Sequence, residues 1–291
     1  MIKYLVLSSG GLHSILYQLG AIKKLIENNI INLDNIEKIY GTSAGAIVGL
    51  LLFLNVDVQI IIDYLIERPW DKIFDFDLNT IMNVYQDLGL YDKKVYEKII
   101  YPLFKTCKID INITLKEFYE KTQKELVIFA TNYRTFESVA FSHKNEPDML
   151  LLHAIYMSST LPFFKPLKRN GDYFIDGVYS CRYPLNYFIR DNSGVDLNDI
   201  FGINIINDKE ELSYTKEPLN VFSFNSKIII KLLKKINNNE TEDIKIPNSL
   251  SVLTNKESSN IFSFINKKNI RQIYFNEGYE QSGIYLLNKH N

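Results

Sequence analysis

A serine set between glycines is the residue whose surroundings most clearly indicate chemistry. It is Ser43, within the run KIYGTSAGAIVGLL at residues 38–51, and it gives the pattern G-x-S-x-G. A nucleophilic serine on a strained turn needs an apolar strand before it and a helix after it, and the flanking runs predict both. A glycine-rich turn with a capping serine is the alternative. The residues of the predicted nucleophile elbow around the serine are Gly41, Thr42, Ala44 and Gly45.

A nucleophilic serine also needs a base. Asp176 follows the apolar run YFI and precedes a glycine, so it lies where a strand of an α/β sheet ends and where such sheets place their sites. A simple Asp-Gly turn would give the same pattern. Histidine bases fit less well, because His143 and His153 follow the serine without a strand-end acid between them. His290 lies at the end of the chain, where fraying is common.

The third requirement is a site for the negative charge that develops on the substrate oxygen. The first predicted strand is followed by SSGGL, and its glycines let backbone N–H groups point at an anion beside a helix N-terminus. The predicted donors are the N–H groups of Gly10, Gly11 and Leu12. A dinucleotide-binding loop is the rival interpretation, but the G-x-G-x-x-G spacing is absent.

In this order, the three segments resemble the patatin-like phospholipase family. SSGGLHSILYQLGAIKKL is similar to the family's oxyanion loop, GTSAGA to its serine elbow and FIDGVYSCRYPL to its aspartate motif. LLHAIYMSSTLPFFKPL and IYFNEGYEQSG are similar to the segments before the aspartate and near the end. The resemblance implies that Ser43 is the nucleophile, that Asp176 is the general base and that Gly10, Gly11 and Leu12 form the oxyanion hole. It implies neither a metal nor another cofactor.

The chain departs from the family's pattern around two of these segments. Ser9 stands in place of the first glycine of the oxyanion loop, His13 in place of Arg or Lys, and Ser14 in place of the last glycine. Val178 stands where Gly or Ala is usual after Asp-Gly. We expect His13 to carry a partial charge near neutral pH, which weakens any fixed-charge contact to a phosphate. The residues predicted to contact substrate are His13, Phe163 and Phe164; the two phenylalanines would line an acyl groove or belong to the core.

The elements that must position these residues predict a patatin-like α/β/α fold with a mostly parallel central sheet. Apolar runs at residues 4–7, 36–40, 125–133, 172–176 and 200–206 predict strands, and residues 139–141 are expected to pair beside the third. Helices are predicted after the first two strands, within residues 58–101 and at residues 150–158. RQIYF and GYEQSGIYLL predict a closing strand and helix. We expect one domain over residues 1–291, with a catalytic core at 1–206 and the segment 270–289 packing back on it.

Composition argues against several functional classes. A net charge of −1 gives no global attraction to nucleic acid. The longest apolar run, residues 44–54, is too short to cross a bilayer, and the two cysteines lack metal-site spacing. We expect a soluble cytoplasmic protein. Peripheral contact with a membrane surface stays open, because residues 226–236 form either a membrane-binding basic helix or an ordinary surface helix.

The implied activity is hydrolysis of acyl-ester lipids, with phospholipids or lysophospholipids as substrates and an acyl-enzyme as intermediate. An aspartate of ordinary pKa, about 4, is a weak base, so we expect the dyad to depend on a short hydrogen bond and oxyanion donors. Two alternatives stay open: an acyltransferase that passes the acyl group to an alcohol, and a catalytically silent lipid-binding protein on the same fold. The sequence predicts no oligomeric state.

Overall fold

The fold is given by a computed structural model, which describes residues 1–74, 88–89, 91–160, 164–207, 244–254 and 261–290. Their centre is an eight-stranded sheet. The strands are β1 (Tyr4–Leu7), β2 (Lys38–Thr42), β3 (Glu125–Asn132), β4 (Ser138–Phe141), β5 (Leu167–Arg169), β6 (Asp172–Asp176), β7 (Ile200–Asn207) and β8 (Asn248–Thr254).

Helices accompany the strands along the chain. They are α1 (Leu12–Glu27), α2 (Ala44–Leu52), α3 (Val58–Glu67), α4 (Lys93–Thr106), α5 (Leu115–Thr122), α6 (Leu151–Ser158), α7 (Leu185–Asp191), α8 (Ile261–Asn266) and α9 (Lys268–His290). Short 3₁₀ turns lie at Leu33–Asn35, Trp70–Lys72, Gly177–Tyr179 and Leu197–Asp199. None of these described helices is both long enough and apolar enough to cross a bilayer.

The sheet is mostly parallel. β1 pairs in parallel with β2 and β7, β2 pairs in parallel with β3, and β7 pairs in parallel with β8. β4, β5 and β6 add antiparallel pairs at the β3 side. Side chains of successive strand residues point to opposite faces, so Leu5 and Leu7 join the large core beneath α1 and α2, whereas Val6 joins a smaller core beneath α7. This layered α/β arrangement confirms the predicted fold class.

The end of the chain differs from the prediction. Residues 271–275 belong to the helix α9 and do not form a strand. Their Ile-Tyr-Phe run has strand propensity, but the buried residues of α9 recur at the spacing of a helix that packs on one side. These buried residues are Arg271, Tyr274, Gly278, Ser282 and Leu286.

α9 packs closely against α1. A Cβ atom on Gly278 would lie 2.1 Å from the carbonyl oxygen of Tyr17, and one on Gly20 would lie 2.2 Å from the carbonyl oxygen of Phe275. Burial against α1 therefore overrides the local strand propensity. The segment does pack back on the rest of the chain, but as a helix.

The remaining expectations have mixed outcomes. Helices α3, α4 and α6 and the pairing of β4 with β3 agree with the predictions. Strands β5 and β8 and helix α8 were not predicted. Residues 226–236, with the expected basic helix, lie outside the described residues, as does Phe163. The division of the chain into a single domain stays a prediction.

Candidate active site

The turn between β2 and α2 holds Ser43 in a conformation that is uncommon for residues other than glycine. Its backbone angles are φ 53° and ψ −116°. The glycines on either side are required by close contacts. A Cβ atom on Gly41 would lie 2.6 Å from the backbone nitrogen of Ala46, and one on Gly45 would lie 2.3 Å from the carbonyl oxygen of Leu7. The turn therefore presents the serine side chain at the N-terminus of α2.

The hydroxyl of Ser43 does not cap the helix. It donates a hydrogen bond to the Asp176 carboxylate, with 2.7 Å between Oγ and Oδ2. Both residues are buried, Ser43 with 4% of its surface exposed and Asp176 with none. The sequence alone left a capping serine and a simple Asp-Gly turn as alternatives, and this direct contact favours neither.

The contact arises because β2 and β6 follow one another along the same edge of β3. Thr42, the last residue of β2, pairs with Phe129, and Asp176, the last residue of β6, pairs with the next residue, Ala130. β4 pairs with Phe129 and Ala130 along the opposite edge of β3, which leaves β2 and β6 on one edge. Gly177 fits the junction only without a side chain, since its Cβ would lie 2.7 Å from Thr42 Cγ2. Two strand ends thus meet at the serine.

The Asp176 carboxylate lies in an environment that favours its neutral form. Burial raises its pKa to about 7, although hydrogen bonds from the Val178 N–H and the Ser43 hydroxyl oppose this shift. The Val178 N–H lies 2.8 Å from Oδ1. The ordinary pKa expected from the sequence is therefore wrong. A group that titrates near the working pH is well suited to proton transfer.

The loop after β1 lies beside the elbow, because Leu7 pairs with Gly41 in the parallel register. Gly11 has φ 79°, a value that favours glycine, and α1 begins at the next residue, Leu12. Among the described residues, no acceptor receives a hydrogen bond from the N–H of Gly10 or Gly11. The N–H of Leu12, at the first position of α1, has no helical partner either. The loop can therefore stabilise an anion.

Ser158 contributes to the site and was not singled out from the sequence. It ends α6, and its Oγ accepts a hydrogen bond of 2.8 Å from the backbone N–H of Ser43. The same hydroxyl donates to the carbonyl of Phe129 at 2.6 Å. The residue lies in a run of small polar residues, and nothing in the sequence distinguishes it from its neighbour Ser159.

His13 does not supply the partial charge expected from the sequence. Burial lowers its pKa to about 4, so the ring is neutral near pH 7. The ring packs edge-on against Tyr17 and Tyr274, with centroid distances of 6.2 Å and 5.9 Å. Its Nε2 is buried without a partner among the described residues.

The other histidines occupy unrelated surroundings. The His143 ring stacks on Tyr119 with 3.7 Å between centroids, and His153 Nε2 lies 3.1 Å from Lys93 Nζ. His290 is the last residue of α9. The structure thus brings Ser43 to a carboxylate rather than to an imidazole.

The residues that line an apolar cavity of about 20 Å³ include Ile47, one helical turn beyond Ser43. Leu12, the first residue of α1, also lines it, as do Trp70 and Phe74. Phe164 also lines the cavity and is 5% exposed. This volume accommodates about one water molecule, so a long apolar ligand would have to displace side chains.

The sequence is similar to a family model and to proteins of two viruses. Residues 5–189 match the family model described as patatin-like phospholipase. A protein of Invertebrate iridescent virus 6, named "Probable lipid hydrolase 463L", is 29% identical over 192 residues, which are 65% of this chain and 63% of that protein. The chain therefore spans less than two thirds of that relative's length. An uncharacterized protein of Acanthamoeba polyphaga mimivirus is 28% identical over 225 residues, 76% of this chain and 72% of that one.

Solved structures share the fold. VipD from Legionella pneumophila aligns over 99% of this chain and 67% of its own, with a TM-score of 0.57 and 16% identity. The type III effector protein ExoU aligns over 99% of this chain and 53% of its own, with a TM-score of 0.50 and 10% identity. The family model covers more than half of the chain. The chain belongs to the patatin-like phospholipase family.

Proposed function

We propose that the protein hydrolyses the acyl esters of phospholipids or lysophospholipids, with Ser43 as the nucleophile and Asp176 as the general base. The observation that carries this proposal is the 2.7 Å hydrogen bond between their side chains, formed at a strained turn and shielded from solvent. Nucleophile and base within hydrogen-bond reach are the minimal requirement for covalent ester hydrolysis by a serine.

In the first half-reaction, Ser43 Oγ attacks the ester carbonyl carbon while its proton passes to Asp176. The carbonyl oxygen becomes an oxyanion that accepts hydrogen bonds from the N–H groups of Gly10, Gly11 and Leu12. When the intermediate collapses, the bond to the glycerol oxygen breaks and that oxygen takes the proton from Asp176. The acyl group remains on Ser43 as an ester.

In the second half-reaction, water attacks the acyl-enzyme. Asp176 takes a proton from this water, and a second oxyanion forms at the same N–H groups. The carbon–Oγ bond then breaks, the proton returns to Ser43 and the fatty acid leaves. The charge stabilisation comes from backbone donors, and a single donor of this kind contributes about 3 kcal/mol.

The apolar cavity supports an acyl chain as the group on the carbonyl side of the ester. Its walls include Leu12, whose N–H is a proposed oxyanion donor, and Ile47, which lies one helical turn beyond Ser43. A chain that entered here would bury apolar surface at about 25 cal/mol per Å². The displacement of side chains that such entry requires would make hydrolysis sensitive to the length of the chain.

Labelling and lipid digestion test the proposal together. A fluorophosphonate should attach to Ser43 in the wild type and not in Ser43→Ala. A panel of phospholipids, lysophospholipids and neutral acylglycerols, read by mass spectrometry, should lose acyl chains only with the wild type. An unlabelled wild type would overturn the proposal in favour of a silent lipid-binding protein. Acyl transfer to added glycerol in place of fatty acid release would indicate a transacylase.

The identity of the base needs its own comparison. Asp176→Asn should lower the rate of cleavage of a short-chain ester by about 10²–10⁴-fold, the usual contribution of a general base. His143→Ala and His153→Ala serve as controls, because both residues lie in other contacts. A folded histidine variant as inactive as Asp176→Asn would refute the dyad.

A further inference from the structure

Arg182 lies at the end of the sheet that carries the proposed oxyanion loop. Its carbonyl oxygen accepts a hydrogen bond of 2.9 Å from the N–H of Ser9, in that loop. Its guanidinium donates through Nη2 to the carbonyl oxygen of Ile205 in β7. Ile205 also contacts the loop, because its N–H donates to Ser8 Oγ at 2.8 Å. A Cβ atom on Gly10 would lie 3.1 Å from Ile205 Cγ2. Backbone and side chain of Arg182 are thus both fixed beside the loop.

The charge of this guanidinium is not offset within the described chain. No carboxylate among the described residues forms an ion pair with it, and burial alone lowers its pKa. An arginine remains protonated under such a shift. Of its five N–H donors, only those of Nη2 contact a described residue, and the remaining nitrogens are not sealed from solvent. A guanidinium with free donors can form strong charge-assisted hydrogen bonds with an anionic ligand.

The register of the sheet places Arg182 and Ser43 within the span of one lipid molecule. Leu7 pairs with Gly41 on one side and with Ile203 on the other. β1 ends at Leu7 and β2 at Thr42, so Ser43 and Ile205 each lie two residues beyond a residue paired with Leu7, on opposite sides of β1. Adjacent strands are about 4.8 Å apart. The two strands that lead to these residues, β2 and β7, are thus separated by about 10 Å where they flank β1.

A glycerophospholipid fits this separation. Five or six covalent bonds of about 1.5 Å each lie between an ester carbonyl carbon and the phosphorus, and a hydrogen bond from guanidinium to phosphate adds about 3 Å. The apolar cavity begins at Leu12 and Ile47, on the α1 and α2 face of the sheet. Arg182 lies in the chain between Cys181 and Tyr183, which belong to the smaller core on the opposite face. An ester at Ser43 would direct its acyl chain and its head group to different sides.

We infer that Arg182 binds the phosphate of the substrate head group and makes the protein selective for acyl esters that carry a phosphate. This inference rests on the proposed hydrolysis at Ser43. Arg182 supplies the fixed charge for a phosphate that a basic residue at position 13 would otherwise supply, since His13 is neutral and packed between tyrosines. A planar guanidinium can donate two parallel hydrogen bonds to a phosphate.

The test compares two substrates that differ only in the phosphate: monooleoylglycerol and the lysophosphatidic acid with the same oleoyl chain. The ratio of their kcat/KM values should favour the phosphate ester in the wild type and fall at least about tenfold in Arg182→Gln, mainly through KM, as the loss of a charged hydrogen bond predicts. Arg182→Lys keeps the charge but loses the paired donors, so its kcat/KM ratio should lie between those of the wild type and Arg182→Gln.

The control variant is Arg190→Gln. Arg190 is exposed and pairs with Asp191, and its ratio should equal that of the wild type. If Arg182→Gln lowers kcat/KM for both substrates by the same factor, Arg182 only holds Ile205 in place and the inference is wrong. An unchanged ratio overturns it as well. Should Arg182→Gln fail to fold, the Arg182→Lys ratio decides. Failure of the proposed function is distinct, because the wild type would then cleave neither substrate.

Discussion

Ser158 holds Ser43 in place through a hydrogen bond from backbone to side chain. Its Oγ accepts the Ser43 N–H at 2.8 Å and donates to the Phe129 carbonyl at 2.6 Å. One fully buried hydroxyl thereby connects α6, β3 and the elbow. Because Ser43 has a positive φ, the surrounding structure must compensate for a strained backbone. Ser158 is therefore expected to act on reactivity through the position of the nucleophile.

Ser158→Ala should lower both stability and the reactivity of Ser43. The variant leaves a buried N–H and a buried carbonyl without their partner, which costs about 1–3 kcal/mol of the free energy of unfolding. A serine that is no longer held in place should react with a fluorophosphonate about tenfold more slowly or worse. Labelling rates measured well below the unfolding temperature separate this effect from unfolding.

The matched control is Ser159→Ala. The Ser159 hydroxyl follows α6 and donates to the carbonyl of Ile155 in that helix, at 2.6 Å, and no described hydrogen bond joins this hydroxyl to the elbow. Labelling of Ser43 should proceed at the wild-type rate in this variant. Equal labelling rates for Ser158→Ala and the wild type would show that the elbow keeps its geometry without this contact.

Ester hydrolysis should rise with pH through the pKa of Asp176, about 7. Only the carboxylate can accept the serine proton, so kcat/KM should reach a plateau above pH 8 and be about a hundredfold lower at pH 5. The measurement uses a neutral short-chain ester, whose own charge does not change over this range. A flat profile between pH 5 and pH 8 would contradict a base with this pKa.

The same residue should destabilise the fold at alkaline pH. A carboxyl pKa raised from about 4 in the unfolded chain to about 7 in the folded one means that the folded state binds more protons in this window. Stability from this group is therefore complete below pH 4 and is lost as pH rises to 7. Asp176→Asn keeps the shape without the charge, so its thermal unfolding temperature should exceed that of the wild type at pH 8, and the difference should vanish near pH 4.

Asp172→Asn, at the other end of β6, is the control, because its effect on the unfolding temperature at pH 8 should have the opposite sign. Hydrogen bonds from Arg134 and Asn132 lower the pKa of Asp172 to about 2. Its carboxylate contributes stability above pH 4 that is lost as the pH falls towards 2. The variant should therefore unfold at a lower temperature than the wild type at pH 8. A higher unfolding temperature at pH 8 in both variants would indicate that removing any negative charge stabilises the fold.

Filling the apolar cavity should shorten the acyl chains that the protein accepts. Ile47→Phe adds volume to a space of about 20 Å³, so cleavage of a long-chain ester should fall at least tenfold relative to a short-chain ester. Val48→Leu is the control, since Val48 is fully buried on the same helix but does not line the cavity. Kinetics on esters of increasing chain length provide the measurement. Equal losses on all chain lengths would place the acyl chain elsewhere.

The sequence predicted which residues form the serine–aspartate pair but not why they meet. Their local patterns, a serine on a strand–turn–helix and an aspartate at a strand end, depend on near neighbours in the chain. Their contact depends on the register of β2 and β6 on the shared edge of β3, which joins segments more than a hundred residues apart. The raised pKa of Asp176 depends in turn on that burial, so an ordinary value was the natural expectation.

Other errors have local causes. The RQIYF run has strand propensity, and only the helical recurrence of the buried residues of α9 opposes it. Ser158 and Arg182 gave no signal, because a hydroxyl or a guanidinium acquires its role from the tertiary neighbours it meets. His13 was recognised as a departure from the family's pattern, but its charge could not be predicted before its packing against Tyr17 and Tyr274 was known.

The two glycines near the middle of α9 should respond in opposite ways to the same substitution. Gly278→Ala would place a Cβ 2.1 Å from the Tyr17 carbonyl oxygen and push α9 away from α1, at a cost of about 2 kcal/mol or more in the free energy of unfolding. Gly283→Ala meets only the flexible end of Lys24, at 3.4 Å, and should gain about 0.5–1 kcal/mol from helix propensity. Urea unfolding measures both. Because α1 begins at the proposed oxyanion loop, Gly278→Ala should also slow fluorophosphonate labelling of Ser43, whereas Gly283→Ala should not. Similar stability changes for the two variants would show that the helices are not in backbone contact at Gly278.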